Sequence, residues 1–310
     1  MKTRRDFIKT TLAAGAAAAL PSLDVTAAPV AAPTAGASGV PDLITVRGEQ
    51  RAAMLERALQ ACGGIGAFVK KGQKVVIKPN MSWDVPPELG ANTHPEVVAR
   101  LVQLCRNAGA SEVLVFDHAI DSWERAYKTS GIEAAAREAG ARVLPGNDAS
   151  YYREVAIPRG VALKSVKIHS AILDSDVFIN VPVLKQHGGA AMSACMKNLM
   201  GIIWDRGAYH RNNLHQCIVD ILTVTKPDLN VLDAFSPITR NGPRGRSGSD
   251  LDQSVRQLLI SADIVAIDAA ASRMLGHAAD GIEHVRIAAA SGIGQGDLGK
   301  LKIERVKLTA

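Results

Sequence analysis

The sequence predicts an α/β fold, a mostly parallel sheet with helices on both faces. Short runs rich in Val, Ile and Leu alternate along the chain with segments whose apolar residues recur at helical spacing. That alternation implies crossover connections, which give parallel strands covered on both sides. With 310 residues, 47% of them hydrophobic, there is material for such a core, and disordered and collagen-like chains are excluded. The length allows either one large α/β domain or two intimate lobes, and lobes at 41–150 and 151–310 with a cleft between them are the expectation.

The N-terminus reads as an address. Thr3-Arg4-Arg5-Asp6-Phe7-Ile8-Lys9 precedes the mild apolar run Leu12 to Leu20, the order of a twin-arginine signal, and Val25-Thr26-Ala27 offers a small-x-Ala cleavage pattern. Pro21, Pro29 and Pro33 argue against a continuing helix. Residues 1–27 are therefore expected to be a signal peptide, 28–40 a flexible linker rich in Ala, Pro, Gly and Ser, and 41–310 the folded domain. The expected partner of this segment is the twin-arginine translocation machinery, and the expected location is the periplasm.

Order begins with a strand at Leu43 to Val46 and a helix through Met54, Leu55, Ala58 and Leu59, ended by Gly63-Gly64. A strand at Lys74 to Ile77 follows, then a helix with Pro95 in its first turn and Val97, Val98, Leu101, Val102 and Cys105 inward. Glu112 to Phe116 reads as a strand, Trp123 to Ala139 as one helix, and Val143 closes the first half. In the second half, strands are expected at Asp176–Asn180, Leu229–Leu232, Leu258–Ser261 and Lys302–Val306. Helices are expected at Met192–Ile203, Asn212–Thr223, Ile264–Leu275 and Ile282–Ala290.

Composition narrows the partners. The formal charge is +6, and removing residues 1–27, with four basic and two acidic side chains, leaves about +4. Spread along a chain with few aromatics, that charge serves solubility, and no nucleic-acid partner is expected. No apolar run of the mature chain is long enough to span a bilayer. Cys62, Cys105, Cys195 and Cys217 are scattered, so no iron–sulfur cluster is expected from this chain.

In open parallel sheets, ligands bind beyond the carboxyl ends of the strands. Lys78-Pro79-Asn80 follows one predicted strand, Asp117-His118 a second, Asn180 with Lys185 and His187 a third, and Asp233 a fourth. Each also has a structural role open to it: Lys78 can solvate a strand end, Asn80 close a turn, Asp117 cap a helix, and each histidine bond to backbone. His118 and His187 are candidates to hold one divalent transition metal, with Asp117 as ligand or orienting group. In Leu184-Lys185-Gln186-His187-Gly188-Gly189, the glycines let backbone approach a ligand, Lys185 supplies charge and His187 can move a proton. Lys197-Asn198 interrupts the apolar stripe Met192, Met196, Leu199 and Ile203. An amine there either binds an anion with a depressed pKa or snorkels to solvent. Arg244, in Asn241-Gly242-Pro243-Arg244-Gly245-Arg246, suits a carboxylate or phosphate.

Lys78-Pro79-Asn80, Asn92-Thr93-His94-Pro95-Glu96, Leu184-Lys185-Gln186-His187, Met196-Lys197-Asn198-Leu199-Met200-Gly201, Gly242-Pro243-Arg244 and Asp263-Ile264-Val265-Ala266-Ile267-Asp268-Ala269 occur in that order. On these residues the chain resembles the domain-of-unknown-function family 362, from about residue 43 to 308. Many members of that family resemble this chain in bearing a twin-arginine signal. Others carry a ferredoxin-type module that is absent here. A more distant similarity is to lactate-racemase-like proteins, two-lobed enzymes with a nickel-containing nucleotide cofactor. That resemblance implies a lobe interface at His118, Lys185 and His187.

The expectation is a periplasmic enzyme acting on a small anionic or hydroxylated substrate by His/Lys acid–base chemistry. His118, His187 and Lys185 would be catalytic, and Lys78, Asn80, Asp117, Lys197, Asn198 and Arg244 would bind substrate. The alternative is a non-catalytic carrier or maturation protein that delivers a ligand or metal to a partner enzyme. A homo-oligomer is compatible with either.

Overall fold

The apolar runs become strands of one large sheet in the computed structural model, which describes residues 39–309. The expected signal peptide, 1–27, and the linker up to residue 38 lie outside the described residues. In chain order the strands are β1 (Leu43–Arg47), β2 (Lys74–Pro79), β3 (Glu112–Val115), β4 (Arg142–Val143), β5 (Tyr152–Ala156), β6 (Ser165–His169), β7 (Val177–Val181), β8 (Val183–His187), β9 (Ala191–Ser193), β10 (Leu229–Ile238), β11 (Gln257–Ser261) and β12 (Ile303–Lys307). Across the sheet they run β12-β1-β11-β10-β7-β2-β3-β4, and β11 alone on this path opposes its neighbours. The fold is α/β with a mostly parallel sheet. Both sequence halves contribute to it: β1 lies between β12 and β11, so the segments 41–150 and 151–310 share one sheet.

Helices cover both faces, as continuous apolar strands require. On one face lie α1 (Arg51–Ala61), α2 (Pro95–Asn107), α3 (Trp123–Thr129) and α4 (Ile132–Glu138), packed on Val75, Ile77, Ile179 and Val231. The inward residues expected for α2, Val97, Val98, Leu101, Val102 and Cys105, are all buried there. On the other face lie α5 (Ser170–Leu173), α6 (Cys195–Asn198), α7 (Gly207–Arg211), α8 (Leu214–Asp220), α9 (Ile264–Met274) and α10 (Glu283–Ala290), packed on Val76, Phe178 and Leu232. All four cysteines are buried and unpaired.

The structure corrects two expected helices. Trp123 to Ala139 is two helices, because Gly131 takes a left-handed conformation (φ +70°) that ends one and starts the other. Met192 to Ile203 is not one helix either. Met192 pairs with Gln186 in β9, the helix starts only at Cys195, and Leu199–Ile202 closes as a 3-10 turn. The stripe Met192, Met196, Leu199 and Ile203 is nevertheless buried. The late start has a tertiary cause: buried Asp268 on α9 accepts the backbone N–H of Cys195 (2.8 Å) and of Met196 (2.9 Å). Those donors are the orphans of a helix N-terminus, and a carboxylate satisfies both.

Sequence periodicity also missed two hairpins, β5-β6 and β8-β9. Pro182, which lacks an N–H, separates β7 from β8; β10 pairs with β7 through Leu229 and Asn230, and with β8 further along. The β8-β9 hairpin carries Lys185 and His187, and Lys185 pairs with Ser193 of β9 and Ile238 of β10.

Asp263 caps α9 and ties down the last loop: Oδ1 accepts from Val265 and Ala266, and Oδ2 from Gln295. Replacing it with Ala is expected to lower the unfolding free energy by about 1–2 kcal/mol, measured by urea denaturation.

Candidate active site

The register of the sheet places three polar side chains in one row. Lys78 of β2 is opposite Asn180 of β7, which is opposite Asn230 of β10. By the alternation of strand residues they share the face of Val76, Phe178 and Leu232, with Lys78 and Asn180 one step nearer the carboxyl edge than Val76 and Phe178. All three are buried. Buried polar groups persist only when bonded, and this row is bonded throughout. Lys78 Nζ contacts Asp117 Oδ1 at 2.8 Å and donates to Asn198 Oδ1 at 2.7 Å. Asn198 Nδ2 donates to Asn180 Oδ1 (2.8 Å), and Asn180 Nδ2 to Asn230 Oδ1 (3.0 Å).

The remaining oxygen of Asp117 accepts Met81 N–H (2.7 Å) and Ser82 Oγ–H (2.8 Å), which pins the loop after β2. Gly201 covers the ion pair so closely that a Cβ there would overlap Asp117 Oδ1 and approach Lys78 Nζ to 2.6 Å. Glycine is required by this close approach; its φ is ordinary.

Above the row lies a cleft of about 300 Å³ lined by Lys78, Asn80, Lys185, His187, Lys197 and Asn198, together with Ser82, Trp83, Arg206 and His210. Six of the nine residues expected from the sequence thus meet in one place. Lys185 Nζ is buried and donates to Asn80 Oδ1 (2.8 Å) and Ala91 O (2.7 Å). Burial, aided by Lys197 nearby, pulls its pKa down to about 7. Lys197 is held by burial and by Arg206 and Lys78 at about 8. Arg206 donates to the carbonyls of His118 (2.7 Å) and Ala119 (2.9 Å). Four cations line the cleft and no carboxylate does; Asp117 is committed to Lys78 behind it.

The other expected residues stand elsewhere. Asp117 is the buried counter-ion just described. The ring of His118 is outside the lining: its Nδ1–H donates to Ile203 O (2.8 Å), and it stacks on Trp204 at 5.3 Å. Arg244 is half-exposed at the rim, 3.6 Å from Asp121 and 5.9 Å from the Trp83 ring centre. Asp233 belongs to a second cavity of about 270 Å³ with Arg51, His94 and Phe235. Sequence reasoning missed Arg206, His210, Ser82 and Trp83, which no strand-end pattern marks.

A divalent metal does not fit His118 and His187. Nδ1 of His187 accepts two backbone N–H groups, from Gly189 (3.0 Å) and Ala190 (3.1 Å). The neutral ring must then carry its proton on Nε2, which offers a donor in place of a ligating lone pair. Burial and the neighbouring Lys197 and Lys185 depress its pKa to about 3, so it stays neutral. Among the described residues no three His, Cys, Asp or Glu side chains converge as a metal site, and the cleft's own charge repels a cation.

An α/β protein with a cationic cleft at its strand ends is the class that fold and site define. Residues 75–273 match the domain of unknown function DUF362, and the chain belongs to that family. Residues 3–21 match the twin-arginine translocation pathway signal sequence, so the chain carries an export signal. Among the described residues no helix is long and apolar enough to cross a membrane. The chain is 27% identical over 224 residues to the thylakoid-associated protein sll1697 of Synechocystis sp., covering 70% of this chain and 67% of that protein. Among solved structures it is similar to the lactate racemase apoprotein from Thermoanaerobacterium thermosaccharolyticum, at 10% identity and a TM-score of 0.45, covering 79% of this chain and 57% of that one. A Thermotoga maritima protein gives 13% identity and a TM-score of 0.41, over 62% of this chain and 52% of its own. The chain thus spans just over half the length of both solved structures.

Lys78→Met would leave Asp117 buried without its ion pair, a change that costs about 3–5 kcal/mol. Urea denaturation should show a loss of that size, and Lys78→Met/Asp117→Leu should recover most of it.

Proposed function

We propose that this is a periplasmic enzyme that binds a small anionic or hydroxylated substrate in the cleft and moves a proton on it through Lys185. The observation that carries this reading is the cleft's charge: four cations face it and no lining carboxylate balances them. An ammonium has three N–H groups, and Lys185 spends two on Asn80 and Ala91. The third is available to a ligand. A group with a pKa of about 7 gives up and regains a proton at neutral pH, as general acid–base catalysis requires.

The other residues take roles that their contacts support. Lys78 and Arg206 hold negative charge, the amides of Asn80 and Asn198 orient the lysines, and His187 donates from Nε2 as a neutral group. His118 acts through its carbonyl oxygen, which fixes Arg206. The two backbone N–H donors that occupy His187 Nδ1 and the ring's depressed pKa argue for Lys185, and against His187, as the proton carrier.

Small carboxylates incubated with the protein in D2O should gain carbon-bound deuterium. Lys185→Met should slow that exchange by at least ~100-fold, read by mass spectrometry. Binding without exchange in the wild-type protein would instead support the carrier reading.

The same cleft gives a proton linkage. A bound anion favours the charged form of Lys185, so binding raises its pKa above about 7. Calorimetry in buffers of different ionisation enthalpy should therefore show proton uptake on binding at about pH 7.5. Affinity should weaken as pH rises further. The groups facing Lys185 are Lys78, Lys197 and Asp117, and none of them reverses this sign, because the anion favours every ammonium.

A further inference from the structure

Lys197 differs from the other lysines of the cleft. Lys78 has Asp117 and Asn198, and Lys185 has Asn80 and Ala91. Among the described residues Lys197 has no hydrogen-bond or ion-pair partner, although it lines the cleft and is only partly exposed. Its base is rigid: Asp268 holds the two residues before it by their N–H groups, and its neighbour Asn198 is spent on Lys78 and Asn180. An amine that rises from a fixed backbone, without an acceptor and among cations, is disfavoured in its ammonium form. A lysine whose ammonium form is disfavoured beside other cations has an enlarged share of the neutral amine, the nucleophilic form.

We infer that Lys197 is a covalent capture site, whose Nζ condenses with the carbonyl carbon of a small 2-oxo carboxylate while the surrounding cations hold the carboxylate. This rests on the anion-binding reading of the cleft and assigns its substrate class. The neutral amine adds to the carbonyl carbon, forming the C–N bond, and a proton passes from nitrogen to oxygen to give the carbinolamine. The ammonium of Lys185 then protonates the departing hydroxyl, the C–O bond breaks, and water leaves a C=N bond to Lys197. Hydrolysis reverses each step, and no oxidant or reductant is needed. The imine formed in this way is already protonated, because nitrogen keeps its hydrogen when water leaves; it is an electron sink that loosens bonds at the adjacent carbon, where Lys185, left neutral by that transfer, is proposed to act.

The test uses the wild-type mature protein with pyruvate and sodium cyanoborohydride, which reduces an imine to a stable 1-carboxyethyl amine. Peptide mass spectrometry then locates the adduct. At neutral pH the neutral fraction of an amine of pKa about 8 exceeds that of an ordinary lysine by two orders of magnitude. Lys197 should therefore be labelled on the order of 100-fold faster than exposed lysines. Excess propionate, which has the carboxylate but no carbonyl, should suppress the labelling, and folded Lys197→Arg should take up no cleft adduct. Adducts scattered over surface lysines, or placed on Lys185, would overturn the assignment. Propionate binding measured by calorimetry on the same protein separates the two readings. Binding without labelling removes the nucleophile and leaves the anion cleft, whereas the absence of both removes both.

Discussion

The buried pair of Lys78 and Asp117 is the constraint around which the cleft is organised. Neither side chain is more than 1% exposed, so each depends on the other and on polar neighbours for the hydration it gave up. Asp117 meets that need with Met81 and Ser82, which shapes the loop after β2. Lys78 meets it with Asn198, which ties α6 to the sheet and passes the bonding on to Asn180 and Asn230. Gly201 is the covering residue because no side chain fits above the pair. Residues from β2, β7, β10, α6 and the loop after β3 are thus tied together around one ion pair.

Charge balance stops at that pair. Asp117 neutralises Lys78, but Lys185, Lys197 and Arg206 face the cleft with backbone carbonyls and amides, or nothing, in place of carboxylates. In a site of low dielectric such an excess is unfavourable, and it shows in the lowered pKa values of both lysines. A structural core has no use for unbalanced buried cations, since apolar residues of similar volume pack at lower cost. Perturbed groups collected in one cleft are the ground on which the cleft is proposed as the functional site.

The fold was legible in the sequence because its information is periodic. The apolar runs of β2, β7 and β11 and the inward stripe of α2 follow from spacing alone, and the strand-end rule pointed to Lys78, Asn80, Lys185 and His187 before any geometry. Spacing failed where tertiary contacts override local pattern. Met192 to Ile203 has a helical stripe, but Asp268, some seventy residues later in the chain, decides where that helix begins. His118 and Asp117 sit side by side in sequence, yet one binds Lys78 and the other turns its ring to Trp204. Arg206 lacked any pattern because its place in the cleft depends on carbonyls of another loop. Which nitrogen of His187 bears the proton is likewise a matter of two backbone N–H groups, which no residue type announces.

In the proposed mechanism one charge excess serves Lys185 and Lys197 in two ways. Both amines are buried among cations, so both are pulled toward neutrality. Lys185 faces two fixed carbonyl-type acceptors, which bond best to N–H donors and hold its nitrogen in one orientation. That arrangement suits a group that hands over a proton and takes it back without moving. Lys197 lacks such acceptors among the described residues, so its nitrogen lone pair has no competing geometry to break before it meets a ligand. Pairs of titratable groups whose surroundings drive them apart are how one site divides acid–base and nucleophilic work. Here both lysines are pulled down by burial and by Lys78, and the feature that separates their proposed roles is that Lys185 has acceptors.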